Sequence, residues 1–463
     1  MNRSRRLAVV HSAAVVAIVA WGALAFGAVY EWAYRPLALA CVASGALMIA
    51  GAPRRVRLPI AGAVAAVLAA VLLQQVPLPR AMLGRLSPAA PQLLAQYDVA
   101  FALGSPSHAL SIDPARTWTA VLLFVSFGLF WIGLAAALTD STLRRIAGGV
   151  VGTGFVIAVA GIVAGAIDGS RVLGFWQPES HAQSFGPFVN RNHFAGWMLM
   201  AVPLGGGYLI DLIAGARLRE RSWRQRLVWL STPAAGRVVP IGFALVVMTL
   251  SVFFSLSRSG ITCLLCALLV FATIAAARLA CGWHRVVLPA LVTGVIVACA
   301  VWAGTDVLAA RFEERGSSWP ERRTAWHDAA ALASRFRWTG TGMNTFRTAE
   351  IVAQSRDNDR LFAEAHNDYL QVASEGGVLV GAPALLLIAV IVREVRRNRA
   401  RDSHGRWPWI RTGALVGLAG VAIQEFVDFS LQMPGNAALF CVLAAVVVHT
   451  PQSSRVPQRR PDA

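Results

Sequence analysis

No lysine occurs anywhere in the 463 residues, so all 42 basic side chains are arginine. Charge of either sign is scarce: only 14% of residues are charged, against roughly a quarter in ordinary soluble domains. Six cysteines in so long a chain are too few for a secreted disulfide scaffold. All six (Cys41, Cys263, Cys266, Cys281, Cys299 and Cys441) fall in or at the ends of apolar runs. Cys263-Leu-Leu-Cys266 has the spacing of a redox or zinc pair, but it lies within a hydrophobic stretch without flanking ligands and reads as inert buried thiols. There is no P-loop, no dinucleotide fingerprint and no internal repeat. What is abundant is apolar sequence, 56% of residues at a mean hydropathy of +0.57. Soluble enzymes and disordered chains are excluded, and the composition is that of an integral membrane protein.

A bilayer core of ~30 Å needs about 20 apolar residues per helix. Twelve stretches qualify: 7–30, 36–52, 58–76, 118–138, 146–167, 193–214, 239–256, 260–280, 286–304, 376–392, 412–428 and 434–450. The first follows Arg3, Arg5 and Arg6 but is longer than a signal-peptide core, so it reads as a retained anchor. Runs this long satisfy their backbone in lipid as helices. The expected fold is an all-α polytopic membrane protein of about 12 transmembrane helices with a helical loop subdomain. Its parts are 1–304 (nine spans with short loops), 305–375 (the loop subdomain), 376–451 (three spans) and 452–463 (a basic tail).

A formal charge of +18 and a pI near 11.2 would suggest nucleic acid in a soluble protein. Here the arginines instead follow the spans. Segments on the side of the N-terminus carry 26 of them, and the short loops of the opposite side carry seven. The remaining nine lie in 305–375, a loop too long to count in the positive-inside rule. Both termini are therefore expected in the cytoplasm, and no nucleic-acid partner is implied. The long loop also carries 11 of the 24 acids. It reads as helical over 321–335 and again over 361–374, with Gly340-Thr-Gly342 breaking the chain between. The other large loop on that face, 77–117, is rich in Pro and Ser.

Four polar clusters interrupt the apolar sequence, all on the face opposite the termini: Phe188-Val-Asn190-Arg191-Asn192-His193; Ser257-Arg258-Ser259-Gly260; Arg322-Arg323-Thr-Ala-Trp326 followed by Gly340-Thr-Gly342-Met-Asn344-Thr-Phe346; and Ala365-His366-Asn367-Asp368-Tyr369-Leu370-Gln371. Arg258 is a lone cation between two long apolar runs. Ionisable residues near membrane depth are costly and usually functional, the alternative being a snorkelling interfacial side chain. Arg191 has the same alternative. Paired guanidiniums suit a diphosphate, whose oxygens they grip in a bidentate fork. On a helix His366 would share a face with Tyr369 and Leu370. Asp357-Asn-Asp359 has the spacing of metal–nucleotide carboxylates but reads as an exposed turn. Glu425 and Asp428 add polar groups at the same face. They could hold the arginines or bind acceptor hydroxyls.

In this order the clusters, together with Asp428-Phe429, resemble the O-antigen ligase and O-antigen polymerase superfamily of bacterial membrane glycosyltransferases. The resemblance runs from residue 190 to about 430. It implies a GT-C-like fold in the bacterial inner membrane and transfer of a glycan, at the periplasmic face, from an undecaprenyl diphosphate carrier to an acceptor hydroxyl. The acceptor would be lipid A-core for a ligase, or another glycan for an exopolysaccharide or O-antigen polymerase. It further implies no metal or other cofactor, Arg191 and Arg258 as diphosphate binders, and His366 as catalytic base. Arg323, Asn192, His193, Tyr369 and Asp428 are further candidate glycan or phosphate contacts. Glu375-Gly-Gly377 replaces a more usual Glu-Leu-Gly, and Gln424-Glu425 stands where a histidine is often found. A polysaccharide flippase or transporter and a protein O-oligosaccharyltransferase are the alternative readings. A transporter should place its polar groups near the bilayer midplane, whereas these crowd one face.

Overall fold

The computed structural model describes residues 3–52, 57–168, 171–178, 183–215, 223–232, 235–279, 294, 318–355, 362–400 and 408–449. The expected span 286–304 (apart from Gly294), Asp357-Asn-Asp359 and the basic tail lie outside them. The described chain is helical almost throughout. In order it forms α1 (Arg3–Leu24), α2 (Glu31–Ala50), α3 (Leu58–Leu73), α4 (Arg80–Leu86), α5 (Ala90–Tyr97), α6 (Val99–Ala102), α7 (Pro114–Ala137), α8 (Asp140–Asp168), α9 (Arg191–Gly215) and α10 (Trp223–Leu230). It continues with α11 (Ala235–Phe254), α12 (Arg258–Leu279), α13 (Ser318–Arg335), α14 (Phe346–Ala353), α15 (Asp368–Ala400), α16 (Trp409–Gln424) and α17 (Pro434–Val448). The single sheet among the described residues is a short antiparallel pair, β1 (Pro77–Pro79) and β2 (Ser107–Ala109), with Leu78 opposite His108.

Eight described helices are long and apolar enough to cross a membrane: α1, α2, α7, α8, α9, α11, α12 and α15. The shorter apolar helices α3, α16 and α17 pack with them. The protein is an all-α polytopic membrane protein. Water gives no hydrophobic drive between helices in lipid, so close backbone approach and interhelical hydrogen bonds decide the packing. The α9–α16 crossing shows this. A Cβ on Gly413 would lie 2.0 Å from the carbonyl oxygen of Pro203, and one on Gly417 2.8 Å from that of Met200. Only bare backbone fits there, and the crossing fixes where α9 begins and α16 ends.

Polar contacts tie the two ends of the bundle differently. At the end away from the polar clusters, ion pairs tie neighbouring elements: Arg57 with Glu394 at 2.9 Å, Arg144 with Asp211 at 2.9 Å and buried His449 with Asp140 at 3.1 Å. At the other end the two large loops build one subdomain. Its core joins Leu83, Leu93, Leu94, Phe101 and Ile112 of the first loop to Leu332, Phe336, Phe346 and Ala349 of the second.

The loop 339–346 explains the glycine-rich motif. Gly340 (φ 66°), Gly342 (φ 110°) and Asn344 (φ 65°) are left-handed, and the loop wraps the first turns of α15. The Glu375 carboxylate accepts from the backbone N–H groups of Asn344 and Phe346, both at 2.8 Å. Gln74, fully buried at the end of α3, donates to the carbonyls of Thr339 (2.8 Å) and Glu375 (2.9 Å) and accepts from Met343 N–H (3.0 Å). Gly377 (φ 55°) kinks α15 where this amphipathic opening gives way to the apolar span. The second glycine of Glu375-Gly-Gly377 is the one the geometry needs.

Candidate active site

Two of the clusters open helices. Asn190 caps α9: its side-chain oxygen accepts from Asn192 N–H at 2.8 Å, leaving Arg191 as the first helical residue. Ser257 caps α12 in the same way, accepting from Gly260 N–H at 3.2 Å, with Arg258 first in that helix. The turn before it holds Leu256 in the left-handed region, φ 55°. Ser257 Oγ also donates to Asn192 Oδ1 at 2.8 Å, so one hydrogen bond couples the two helix starts. A helix N-terminus carries partial positive charge and favours anions. Here both starts carry an arginine, and neither has an acid in its first turn. Arg191 is half-buried and donates to the side-chain oxygen of Gln183. Arg258 is half-buried as well. Two helix N-termini, each opened by an arginine, are thus joined at one end of the bundle, and helix starts of this kind favour anions.

His366 does not lie on a helix, as the spacing suggested. It precedes α15 in a left-handed conformation (φ 53°). A β-carbon makes that conformation costly unless neighbours hold it. Asn367 caps α15 by accepting from Leu370 N–H at 3.0 Å, Trp326 Nε1 donates to the His366 carbonyl at 3.2 Å, and Asp368 N–H donates to the Glu425 carbonyl at 3.0 Å. The imidazole packs edge-on against Phe429, centroids 4.9 Å apart, and its buried Nδ1 has no hydrogen-bond partner among the described residues. Burial and, second, the Arg322 guanidinium hold this imidazole down to about 4. His193 meets the same Phe429 ring at 4.7 Å. One phenyl ring therefore contacts both His193 of α9 and His366 of the turn before α15.

The remaining candidates separate. Asn192 ties α9 to its neighbours: its side chain accepts from Ser257 Oγ, and its carbonyl accepts from Gln424 Nε2 at 3.2 Å. Asp428 is fully buried, 4.0 Å from His193 Nε2, and accepts from Phe429 N–H at 2.9 Å and from Ser259 Oγ at 3.5 Å. Burial pushes its pKa up, against the opposing pull of Arg322. Glu425, equally buried, is pushed up well above the usual range by burial and by the neighbouring Asp368 carboxyl. Tyr369 turns away from His366: its hydroxyl donates to the Ala422 carbonyl at 2.7 Å and its ring rests on Phe426. Arg323 is exposed. Its neighbour Arg322 is the one that reaches inward, donating to the Val427 carbonyl at 2.6 Å beside the Asp428 turn. Sequence gave no reason to prefer one adjacent arginine over the other. Also missed was the polar network behind the site: Gln371 Nε2 lies 2.6 Å from Glu364 and 3.1 Å from Gln432, whose own amide donates to Asp368 at 2.6 Å. A run of acids and amides flanking an apolar span was its only trace.

Comparison with known families finds that residues 243–385 match the model described as O-antigen ligase. The match covers α12, the described part of the long loop and the opening of α15, so it takes in Arg258, Arg322 and His366 and supports the O-antigen ligase and polymerase superfamily. No curated protein matches the chain.

Proposed function

From that superfamily, and the O-antigen ligase-like glycan transfer it carries at family level, we propose that this protein moves a glycan from undecaprenyl diphosphate to an acceptor hydroxyl at the periplasmic face of the inner membrane. The observation that carries the proposal is that the helix starts bearing Arg191 and Arg258 are joined by one hydrogen bond, while His366 lies under the charge of Arg322 and shares the Phe429 ring with His193 of the Arg191 helix. The 26-to-7 arginine asymmetry supports the orientation, with both termini cytoplasmic.

In this reading the donor already holds the reaction's driving force, because its anomeric carbon bears a diphosphate leaving group. Arg191 and Arg258 at the two helix starts grip the diphosphate, and Arg322 adds a third positive charge. Such fixed charges stabilise the leaving group as its negative charge develops, supporting a reaction without a metal. The acceptor oxygen bonds to the anomeric carbon as the carbon–oxygen bond to the diphosphate breaks, its electron pair leaving with the phosphate. His366 takes the hydroxyl proton. His193 and Asp428, both buried beside Phe429, support the ring against which His366 packs.

The test is gel analysis of surface polysaccharide in a deletion strain complemented with Arg258→Ala or Arg258→Lys. Arg258→Ala should fail to complement, and Arg258→Lys should restore transfer only in part, because an ammonium cannot form the bidentate fork. Bare core without glycan in the deletion assigns lipid A-core as the acceptor. Core carrying single repeat units assigns a growing glycan. Full complementation by Arg258→Ala at normal expression would overturn the reading.

A further inference from the structure

The turn joining α1 to α2 holds three successive residues in the left-handed region: Phe26 (φ 58°), Gly27 (φ 70°) and Ala28 (φ 57°). Residues with a Cβ adopt that conformation only where their surroundings enforce it. The turn packs against the segments that lead into and out of the candidate site. A Cβ on Gly27 would lie 3.1 Å from the ring of Phe188, which opens the Arg191 motif. A Cβ on Gly435, which follows the Asp428–Gln432 turn, would lie 3.0 Å from the Gly27 carbonyl.

The turn gathers aromatic rings. Phe26 packs against Trp32 at 5.8 Å and against Trp176, from the segment leading to Arg191, at 5.7 Å. Tyr30 and Trp32 stack at 6.4 Å with planes 12° apart, and Trp176 Nε1 lies 3.4 Å from the Tyr30 hydroxyl. Trp32 and Trp176 are nonetheless 52% and 41% exposed. Beside them an exposed ion pair joins Glu31 to Arg35 at 2.8 Å.

Rings serving only as interfacial anchors are distributed along both membrane surfaces. These are collected against one another, next to the Arg191 motif, with a charged pair alongside. A pyranose presents a face of C–H groups and a rim of hydroxyls. The first matches the electron-rich face of an indole, and the second the indole N–H, phenol, carboxylate and guanidinium at its edge. We propose that Trp32, Trp176 and Tyr30 form a saccharide subsite that holds one pyranose of a glycan strand away from the reacting carbon. The subsite rests on the glycan-transfer reading and extends it to a residue set outside the residues 243–385 matched by the family.

The test uses the full-length protein in nanodiscs, with Trp32→Ala/Trp176→Ala and, as the conservative pair, Trp32→Phe/Trp176→Phe. Saturation-transfer NMR with carrier-free glycan reads binding without turnover. The alanine pair should lose the transfer to pyranose protons, and the phenylalanine pair should keep most of it. In steady-state transfer the alanine pair should raise one KM about tenfold, the order expected for a lost aromatic face, with kcat within twofold. A rise in the donor KM, growing with donor chain length, assigns the strand to the donor. A rise in the acceptor KM assigns it to the acceptor. Unchanged NMR contacts and unchanged KM values would overturn the subsite. So would equal loss on every substrate together with a lowered melting temperature, the mark of a lipid anchor. Wild-type protein that binds glycan but transfers none would count against the glycan-transfer reading and leave the subsite standing.

Discussion

The Arg322 guanidinium offers a pH test that separates a base from a bystander. Burial and this guanidinium hold the free His366 imidazole down at about 4, well below an unperturbed histidine. The sign follows from the charges. A nearby cation and a dry environment both oppose imidazolium, so the neutral, base-competent form persists down to pH 4–5. A bound diphosphate would bring negative charge against the same arginines and restore part of the lost basicity. The acid limb of kcat/KM reports the free enzyme and that of kcat the loaded one. The kcat/KM limb should therefore lie near pH 4 and the kcat limb above it. Arg322→Ala removes one of the two causes, so its kcat/KM limb should move up toward the unperturbed 6.5 and the gap between the two limbs should narrow. The assay is glycan transfer by purified protein from pH 4 to 8, with melting temperature followed at each pH. Coincident limbs that Arg322→Ala leaves in place would refute the coupling.

Two further predictions concern the loop subdomain. Gly340→Ala places a Cβ 2.0 Å from the Glu375 carbonyl oxygen at φ 66°; it should lower stability by at least ~2 kcal/mol, read as a fall in melting temperature, and leave residual transfer low because the Glu375 clamp opens. Glu350, buried on α14, is raised to about 7 by burial and by Asp328. Its folded pKa lies above its unfolded one, so its contribution is fully present below about pH 4.5 and is lost as pH rises through about 7. Glu350→Gln should therefore melt higher than wild type at pH 8, by at most about 3 kcal/mol, and no higher at pH 4.5; the reverse order would remove the buried carboxyl as the cause.

Much of this was legible in the sequence because membrane helices announce themselves. Eleven of the twelve expected spans coincide with described apolar helices, and contacts join the four clusters at one end of the bundle. Spacing could not reveal loop geometry. His366 reads as helical from its neighbours, yet α15 begins only at Asp368, because Asn367 caps it and the chain must turn to bring the imidazole onto Phe429. Arg322 and Arg323 are equivalent as letters, and only the rotation of α13 against the Val427 carbonyl separates them. The Pro- and Ser-rich loop 77–117 contributes structurally: Ile112 N–H donates to the Thr341 carbonyl at 2.8 Å and the Thr117 hydroxyl to that of Met343 at 2.9 Å, joining it to the second loop. The role of Gln74 rests on a contact across the chain to Thr339 and Glu375, which no local pattern encodes.

The central claim is that His366 performs the proton transfer while the arginines hold the donor, and it is tested most directly by comparing His366→Ala with wild type in one preparation. Single-turnover transfer and binding of undecaprenyl diphosphate-linked glycan would be measured side by side. The account predicts a loss of ~10²–10⁴-fold in transfer, the usual worth of a positioned general base, with donor affinity retained. Normal turnover, or lost donor binding with unchanged chemistry on the donor that does bind, would contradict it.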